Sequence, residues 1–217
     1  MAILINKRDI IFEIQKTEKF VNPKIELEQY NIDAASAVDI IFFAGFEFND
    51  INQKIIVDLG AGTGILSITS AFFEPSIIVS VDIDIDALIV LKRNLKHFKL
   101  QNTVLPICAD VGHFEISDKI FSQNLKITTI MNPPFGVKKR KADRVFLEKA
   151  FLFSDVVYSI HLTNKNVHKF ITRFIHKFNW KIDYMFPFNM MLEKSFPFHS
   201  QKTKKIGVTV YRFVKNS

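Results

Sequence analysis

The 217-residue chain has one cysteine, Cys108, and only seven glycines and seven prolines. A single cysteine excludes an internal disulfide framework and a local cysteine cluster for zinc, and it fits a reducing compartment. Cys108 itself reads as a buried strand residue. Long apolar runs are missing as well. The opening MAILINKRDIIFEIQK is cut by Lys7, Arg8 and Asp9 before a signal-peptide core or a membrane span can form. This predicts a soluble intracellular protein without a membrane partner, cytoplasmic, with the nucleus as the alternative. Repeats, low-complexity tracts and Gly/Ser/Pro-rich linkers are absent too, so composition supports no domain boundary.

Acidic residues are in short supply: 22 against 29 lysines and arginines, a net charge of +7. That balance favours a polyanionic partner, because basic patches gain affinity by displacing counterions from phosphates. Charge alone does not separate RNA from DNA or an acidic protein. Phenylalanine is plentiful at 23. Most of it belongs to a core, and some is available to cover a partner interface.

Short apolar, β-branched runs alternate with longer amphipathic ones. Strands are expected at Ile55–Leu59, Ile77–Val81, Val104–Ile107, Ile127–Met131, Val156–Ile160, Ile182–Phe186 and Val208–Phe213, most of them apolar on both faces as buried parallel strands are. Helices are expected at Ala34–Ala44, Gly64–Phe73, Asp86–Phe98, Arg144–Phe153 and Asn164–Phe178. The alternation implies an α/β fold with a doubly wound, mostly parallel seven-stranded sheet. The last two strands have no helix between them, so they pair antiparallel at one edge.

In VDLGAGTGILSI, Val57–Ile68, an apolar strand ends at Asp58 and turns through Gly60, Gly62 and Gly64 into a helix. Residues without Cβ suit a turn that a ligand approaches along the main chain. By itself such a turn serves a dinucleotide equally well, although GxGxG is not the GxGxxG fingerprint. Asp82 follows at the carboxyl end of the second strand, placed to accept from ribose hydroxyls. Asp84 and Asp86 read as a solvated acidic turn that caps the next helix. Asp110 closes the third strand at the same sheet edge, within reach of an adenine amino group.

The most informative motif is IMNPPFG, Ile130–Gly136, directly after the fourth strand. Two prolines after Asn132 fix φ and present the amide and main-chain carbonyls from a rigid, extended loop. Such a loop suits methylation of a conjugated amine, whose delocalised lone pair must be freed to attack a methyl sulfonium. Acceptors on the two amino hydrogens, from the Asn132 side chain and the Pro133 carbonyl, favour a pyramidal nitrogen. No strong base is required, and positioning supplies most of the acceleration. Pro134 completes the rigid segment, and Phe135 is placed to stack on a flat base. The neighbouring GVKKRKADR carries Lys138, Lys139, Arg140, Lys141 and Arg144. Phosphate contact is favoured for this run over a solvated face or a nuclear-import tract. A second cluster, Lys202, Lys204 and Lys205, extends the track. His161, after the fifth strand, falls at a carboxyl strand end where it can meet substrate or phosphate. His97, His113, His168, His176 and His199 show no metal-ligand spacing, and no metal is expected.

With Asp58–Gly64, Asp82, Asp110 and Asn132–Phe135 in this order, the chain resembles Rossmann-like class I methyltransferases of the amino-nitrogen type. It is similar in particular to a small archaeal and eukaryotic family of ribosomal RNA adenine-N6 methyltransferases. The similarity runs from NPKIELEQY, Asn22–Tyr30, through DLGAGTGILSI, DIDIDAL, IMNPPFG and YSIH to FPFHSQKTKK, nearly the whole chain. The resemblance implies S-adenosylmethionine as cofactor, held by Gln29, Gly60, Thr63 and Ile65 within the Asp58–Ile65 turn, by Asp82 on the ribose, by Asp110 and Val111 near the adenine, and by Asn132. It implies that Asn132–Phe135 bind the target adenine, and that a small zinc-containing activator protein forms a heterodimer with the chain. Ile32 departs from the family's usual threonine, and Asn31 from its proline. We expect a single domain, 1–217, in which 1–50 form a helical segment contributing to the cofactor site and 51–217 the catalytic core. Glutamine-N5 methylation of a protein, DNA adenine methylation and an inactive RNA-binding scaffold are the competing readings.

Overall fold

A computed structural model describes residues 6–117, 125–136, 142–193 and 203–216. The basic run 138–141 and most of the segment 196–205, including Lys202 and His199, lie outside the described residues. Seven strands form one sheet: β1 (Ile55–Leu59), β2 (Ile77–Asp82), β3 (Val104–Cys108), β4 (Ile127–Met131), β5 (Val156–Leu162), β6 (Trp180–Glu193) and β7 (Thr203–Lys215). Their order is β3-β2-β1-β4-β5-β7-β6. The first five run parallel, while β7 is antiparallel to both neighbours and leaves β6 outermost. Every residue of β1 and β4 is buried, which is why both read as unbroken apolar runs.

Helices cover both faces. On one lie α1 (Lys7–Ile14), α2 (Ala34–Phe42), α3 (Ile65–Ala71) and α4 (Ile85–Phe98), whose buried side chains join Ile56, Ile78, Ile130 and Tyr158 in one core. On the other lie α5 (Ala142–Phe153) and α6 (Lys165–Ile175), packed with Val57, Leu59, Val157, Trp180 and Phe213 in a second core. Side chains alternate across a strand, so each strand feeds both cores. Asp33 caps α2 through Ser36 N, and α2 ends in a π-helical turn over Phe43–Glu47.

Cys108 corrects the sequence reading. It is exposed, with Leu105 and Ile107, because β3 is the outermost parallel strand. The last two strands are far longer than their apolar centres suggested, forming a ladder from Trp180–Lys215 to Glu193–Thr203 with an irregularity at Ile182/Tyr184. No helix among the described residues is long and apolar enough to cross a membrane.

Candidate active site

Open α/β sheets bind ligands beyond the carboxyl ends of their strands, where the order reverses. Here β1 lies between β2 and β4, and a cleft of about 540 Å³ opens over their carboxyl ends. Gln29, Gly60, Gly62, Thr63, Ile65, Asp82, Asp110, Val111, Asn132 and Pro134 all line it. These ten are scattered over more than one hundred positions of sequence, and the fold brings them to one cavity.

Internal hydrogen bonds hold the wall formed by β1 and β2. Asp82 Oδ2 accepts from Gly62 N–H at 2.7 Å and Oδ1 from Asp84 N–H at 2.8 Å, which locks the glycine turn to the next loop. Burial pushes the Asp82 carboxyl above its ordinary range despite these bonds. Gly62 has φ +56°, and a Cβ there would lie 2.8 Å from the Phe20 ring. Gly64 opens α3 at φ +89°, where a Cβ would fall 2.1 Å from Leu91 Cδ1, so it serves helix packing. Asp110 caps a single 3-10 turn by accepting from Gly112 N–H at 2.7 Å through Oδ1.

Asp58 does not line the cleft. It lies beneath the turn, buried between β1 and α3, with Oδ2 accepting from Ser67 Oγ at 2.6 Å and Oδ1 without a partner among the described residues. Desolvation pushes its carboxyl up to about 7. The family motif contains this residue, but its part here is to support the turn.

Asp84 is likewise not solvated. It caps α4 through Asp86 N, yet it is buried, with Oδ2 accepting from Gln29 Nε2 at 2.7 Å and Oδ1 from Lys24 Nζ. Burial pushes this carboxyl up, and the Lys24 and Gln29 bonds outweigh it, for a net downward shift. Gln29 Oε1 in turn accepts from Lys24 N–H at 2.7 Å, so both ends of the Gln29 amide are engaged inside the protein. Residues 14–32 close the cleft opposite the sheet, adding Phe20, Glu28 and Tyr30 to the lining. Glu28 is buried and holds the left-handed conformation, φ 51°. From α5 come Ala142, Val145 and Phe146. The sequence points to residues 1–50 as contributing to the cofactor site but does not single out Phe20, Glu28, Tyr30, Val145 or Phe146, because nothing local marks a residue that reaches a site through tertiary packing.

On the β4 side, Asn132 lines the cleft one residue beyond the strand, and its Oδ1 is buried without a hydrogen-bond partner among the described residues. Buried acceptors are nearly always paired, so an unpartnered one on a residue that lines a cavity is a candidate ligand-binding atom. Pro133 is buried behind it. Phe135 corrects the stacking expectation: it is partly buried against the core beneath α1–α4 and does not line the cleft. A phenyl ring beside an apolar core gains by burying there.

His161 is the second correction. It shares the face of β5 with Val157 and Ser159, which α5 and α6 cover, and it is 2% exposed. Its Nε2 lies 2.7 Å from Ser159 Oγ and its Nδ1 4.0 Å from Asp143 Oδ2. Burial pushes the imidazole down to about 3, which favours the neutral form, and its enclosure keeps it from reaching a phosphate in this structure. Arg144, from the basic run, places its guanidinium 4.5 Å over the Phe170 ring. Lys205 is exposed on β7.

Comparison with known proteins identifies the family. The methyltransferase small domain family model matches residues 29–153. An uncharacterised protein of Methanocaldococcus jannaschii is 33% identical over 98% of this chain and 95% of its own. The rRNA N(6)-adenosine-methyltransferase METTL5 of Danio rerio is 33% identical over 92% of this chain and 94% of its own. Among solved structures, a Pyrococcus horikoshii protein provisionally assigned as an RNA methyltransferase is 33% identical, with a TM-score of 0.86 over 99% of this chain and 100% of the other. The family model over residues 29–153 and a relative 33% identical over 92% of the chain place it in the methyltransferase small domain family, among the rRNA N6-adenosine methyltransferases.

Proposed function

We propose that the chain is a single methyltransferase domain that transfers a methyl group from S-adenosylmethionine to N6 of an adenine in ribosomal RNA. The observation that carries this reading is the unpartnered, buried Oδ1 of Asn132, a residue that lines the same cleft as Asp82 and the glycine turn. When bound, the cofactor supplies an electrophilic methyl on a sulfonium. Asp82 and Asp110 keep carboxylate lone pairs for the ribose and the adenine, while Gly60, Gly62 and Thr63 offer main chain along the cleft wall. Asn132 Oδ1 accepts one N6–H of the target, and the Pro133 carbonyl accepts the other. Together they draw the nitrogen toward a pyramidal shape and aim its lone pair across the cleft. Gln29 acts one step back, by holding Asp84 and the wall of residues 22–30.

The partner reading extends the proposal. Ile83, Ile85, Ile89, Leu105 and Ile107 are exposed along the β3 edge, where the Cys108 thiol meets the Ile83 carbonyl. An apolar patch beside an open strand suits a small protein that adds a strand and covers it. We assign this edge to a zinc-containing activator and the working enzyme to a heterodimer in the cytoplasm. The basic run at 138–141 is assigned to RNA phosphates.

The test is transfer of labelled methyl to total ribosomal RNA, with and without the activator, followed by nucleoside analysis. N6-methyladenosine that disappears with Asn132→Ala is the expected result. Label in protein with unlabelled RNA would instead support glutamine-N5 methylation.

A further inference from the structure

From Val156 to Ile182 the chain contains no aspartate or glutamate, and its lysines and arginine, Lys165, Lys169, Arg173, Lys177 and Lys181, recur at every fourth residue. All five are exposed. The first three lie on α6 and Lys177 on the 3-10 turn that continues it. Residues four apart share a helix face, so the charges form a ridge with a rise of about 6 Å per step. The inward face is equally regular. Phe170, Phe174 and Phe178 pack in series as tilted rings with centroids 5.2 Å apart at each step, and Ile171 and Ile175 are buried beside them.

A solvated helix face ordinarily mixes signs, because opposite charges at this spacing support the helix and like charges oppose it. This ridge has like charges only. Its first turn carries no acidic residue, and Lys165 stands at the positive end of the helix dipole. No carboxylate pairs with any of the five among the described residues. The like-charge spacing and the placement of Lys165 work against the helix, and an anion lying along the ridge relieves both. The ridge also starts at the right place: Asn164 caps α6 just beyond the carboxyl end of β5, next to the strand whose end carries Asn132. Arg144, stacked on Phe170, adds a cation between α5 and α6.

We propose that the α6 ridge of Lys165, Lys169, Arg173 and Lys177 binds the phosphate backbone of the RNA substrate, outside the cleft that receives the base. The proposal rests on the RNA reading above. It is tested by replacing the four together in the full chain (Lys165→Gln, Lys169→Gln, Arg173→Gln and Lys177→Gln), which keeps helix propensity and removes the repulsion. Binding of a labelled short single-stranded RNA is then followed over a salt series. The slope of log K against log[salt] becomes shallower by about 3, at about 0.7 per lost contact on a single strand, and low-salt affinity falls by about tenfold or more. S-adenosylmethionine affinity is unchanged. If the fourfold variant misfolds, Lys169→Gln with Arg173→Gln gives about half that change in slope. A wild-type slope in a folded variant overturns the ridge, as does intact RNA binding with lost binding to polyglutamate. Methyl transfer by the wild-type chain to protein and not to RNA defeats the underlying reading separately, whatever the variant does.

Discussion

The two ends of the sheet hold similar polar groups and treat them in opposite ways. Toward the amino end, Asp50 Oδ2 accepts from Tyr158 OH at 2.6 Å and from Arg212 Nε at 2.8 Å. Arg212 also reaches Asp183 and lies 4.2 Å over the Phe48 ring, and Thr128 Oγ1 donates to the Asp50 carbonyl at 2.7 Å. Asp50, Tyr158 and Thr128 are buried, and each polar group is engaged. At the carboxyl end, the cofactor wall is tied together through Asp82 and Asp84, but Asn132, which lines the cleft, keeps its buried Oδ1 without a partner among the described residues. An unpaired buried acceptor costs about 1–3 kcal/mol. A closed network spends its hydrogen bonds on stability, whereas an open atom retains one for a ligand.

Two substitutions break this comparison most sharply. Asn132→Ala is expected to lower the rate of methyl transfer about 10²- to 10³-fold, the scale on which a single preorganised polar contact acts in transition states. Because it removes an atom with no partner, thermal unfolding should show no loss of stability. Arg212→Met should do the reverse. It leaves Asp50 buried without its cation, at a cost of about 3 kcal/mol in denaturant unfolding, while transfer per folded molecule is unchanged. Loss of activity in folded Arg212→Met, or destabilised Asn132→Ala, would erase the distinction between the two ends.

The sheet was legible in the sequence because burial on both faces writes itself as runs such as IIVDL and ITTIM. At the edges this signal fails. Cys108 belongs to such a run and is exposed, since apolarity does not say which strand lies outermost. The glycine turn and the Asn-Pro-Pro loop were legible too, through backbone requirements that few residues meet. Which motif residue faces the cleft was not. Asp58 and Asp82 both close apolar strands, but only Asp82 reaches the cavity, and Asp58 turns to Ser67. His161 and Phe135 were misplaced for the same reason: nearness to a strand end fixes position along the sheet, and the pleat and neighbouring helices fix direction.

Asp58 and His161 give an intermediate effect with opposite signs. Burial holds the folded Asp58 carboxyl at about 7 against 3.8 when unfolded, so its stabilising contribution is full below pH 4 and is lost as pH rises to about 7. Burial holds the folded His161 imidazole at about 3 against 6.5, so its contribution is full above pH 6.5 and is lost as pH falls toward 3. Relative to wild type, Asp58→Asn should gain stability by up to about 1.4 kcal/mol per pH unit across its window as pH rises. His161→Asn should gain by a similar amount as pH falls through its own. Urea unfolding at several pH values measures both. Curves parallel to wild type would mean that neither group is as dry as its surroundings indicate.

The smallest effect separates support from contact on the cofactor side. Gln29 lines the cleft, but its amide donates to Asp84 and accepts from Lys24 N–H, and Asp84 N–H in turn donates to Asp82. Gln29→Leu therefore leaves Asp84 one donor short and loosens the wall of residues 22–30, with Asp82 displaced through one intermediate. The expected result is a rise of about tenfold in KM for S-adenosylmethionine, equivalent to about 1.4 kcal/mol, with kcat at saturation preserved. The double variant Gln29→Leu with Asp84→Asn should be little worse than the more damaging single change, because both cut the same chain of bonds. Additive losses would show that Gln29 touches the cofactor itself, and a fall in kcat at unchanged KM would move it across the cleft to the side of Asn132.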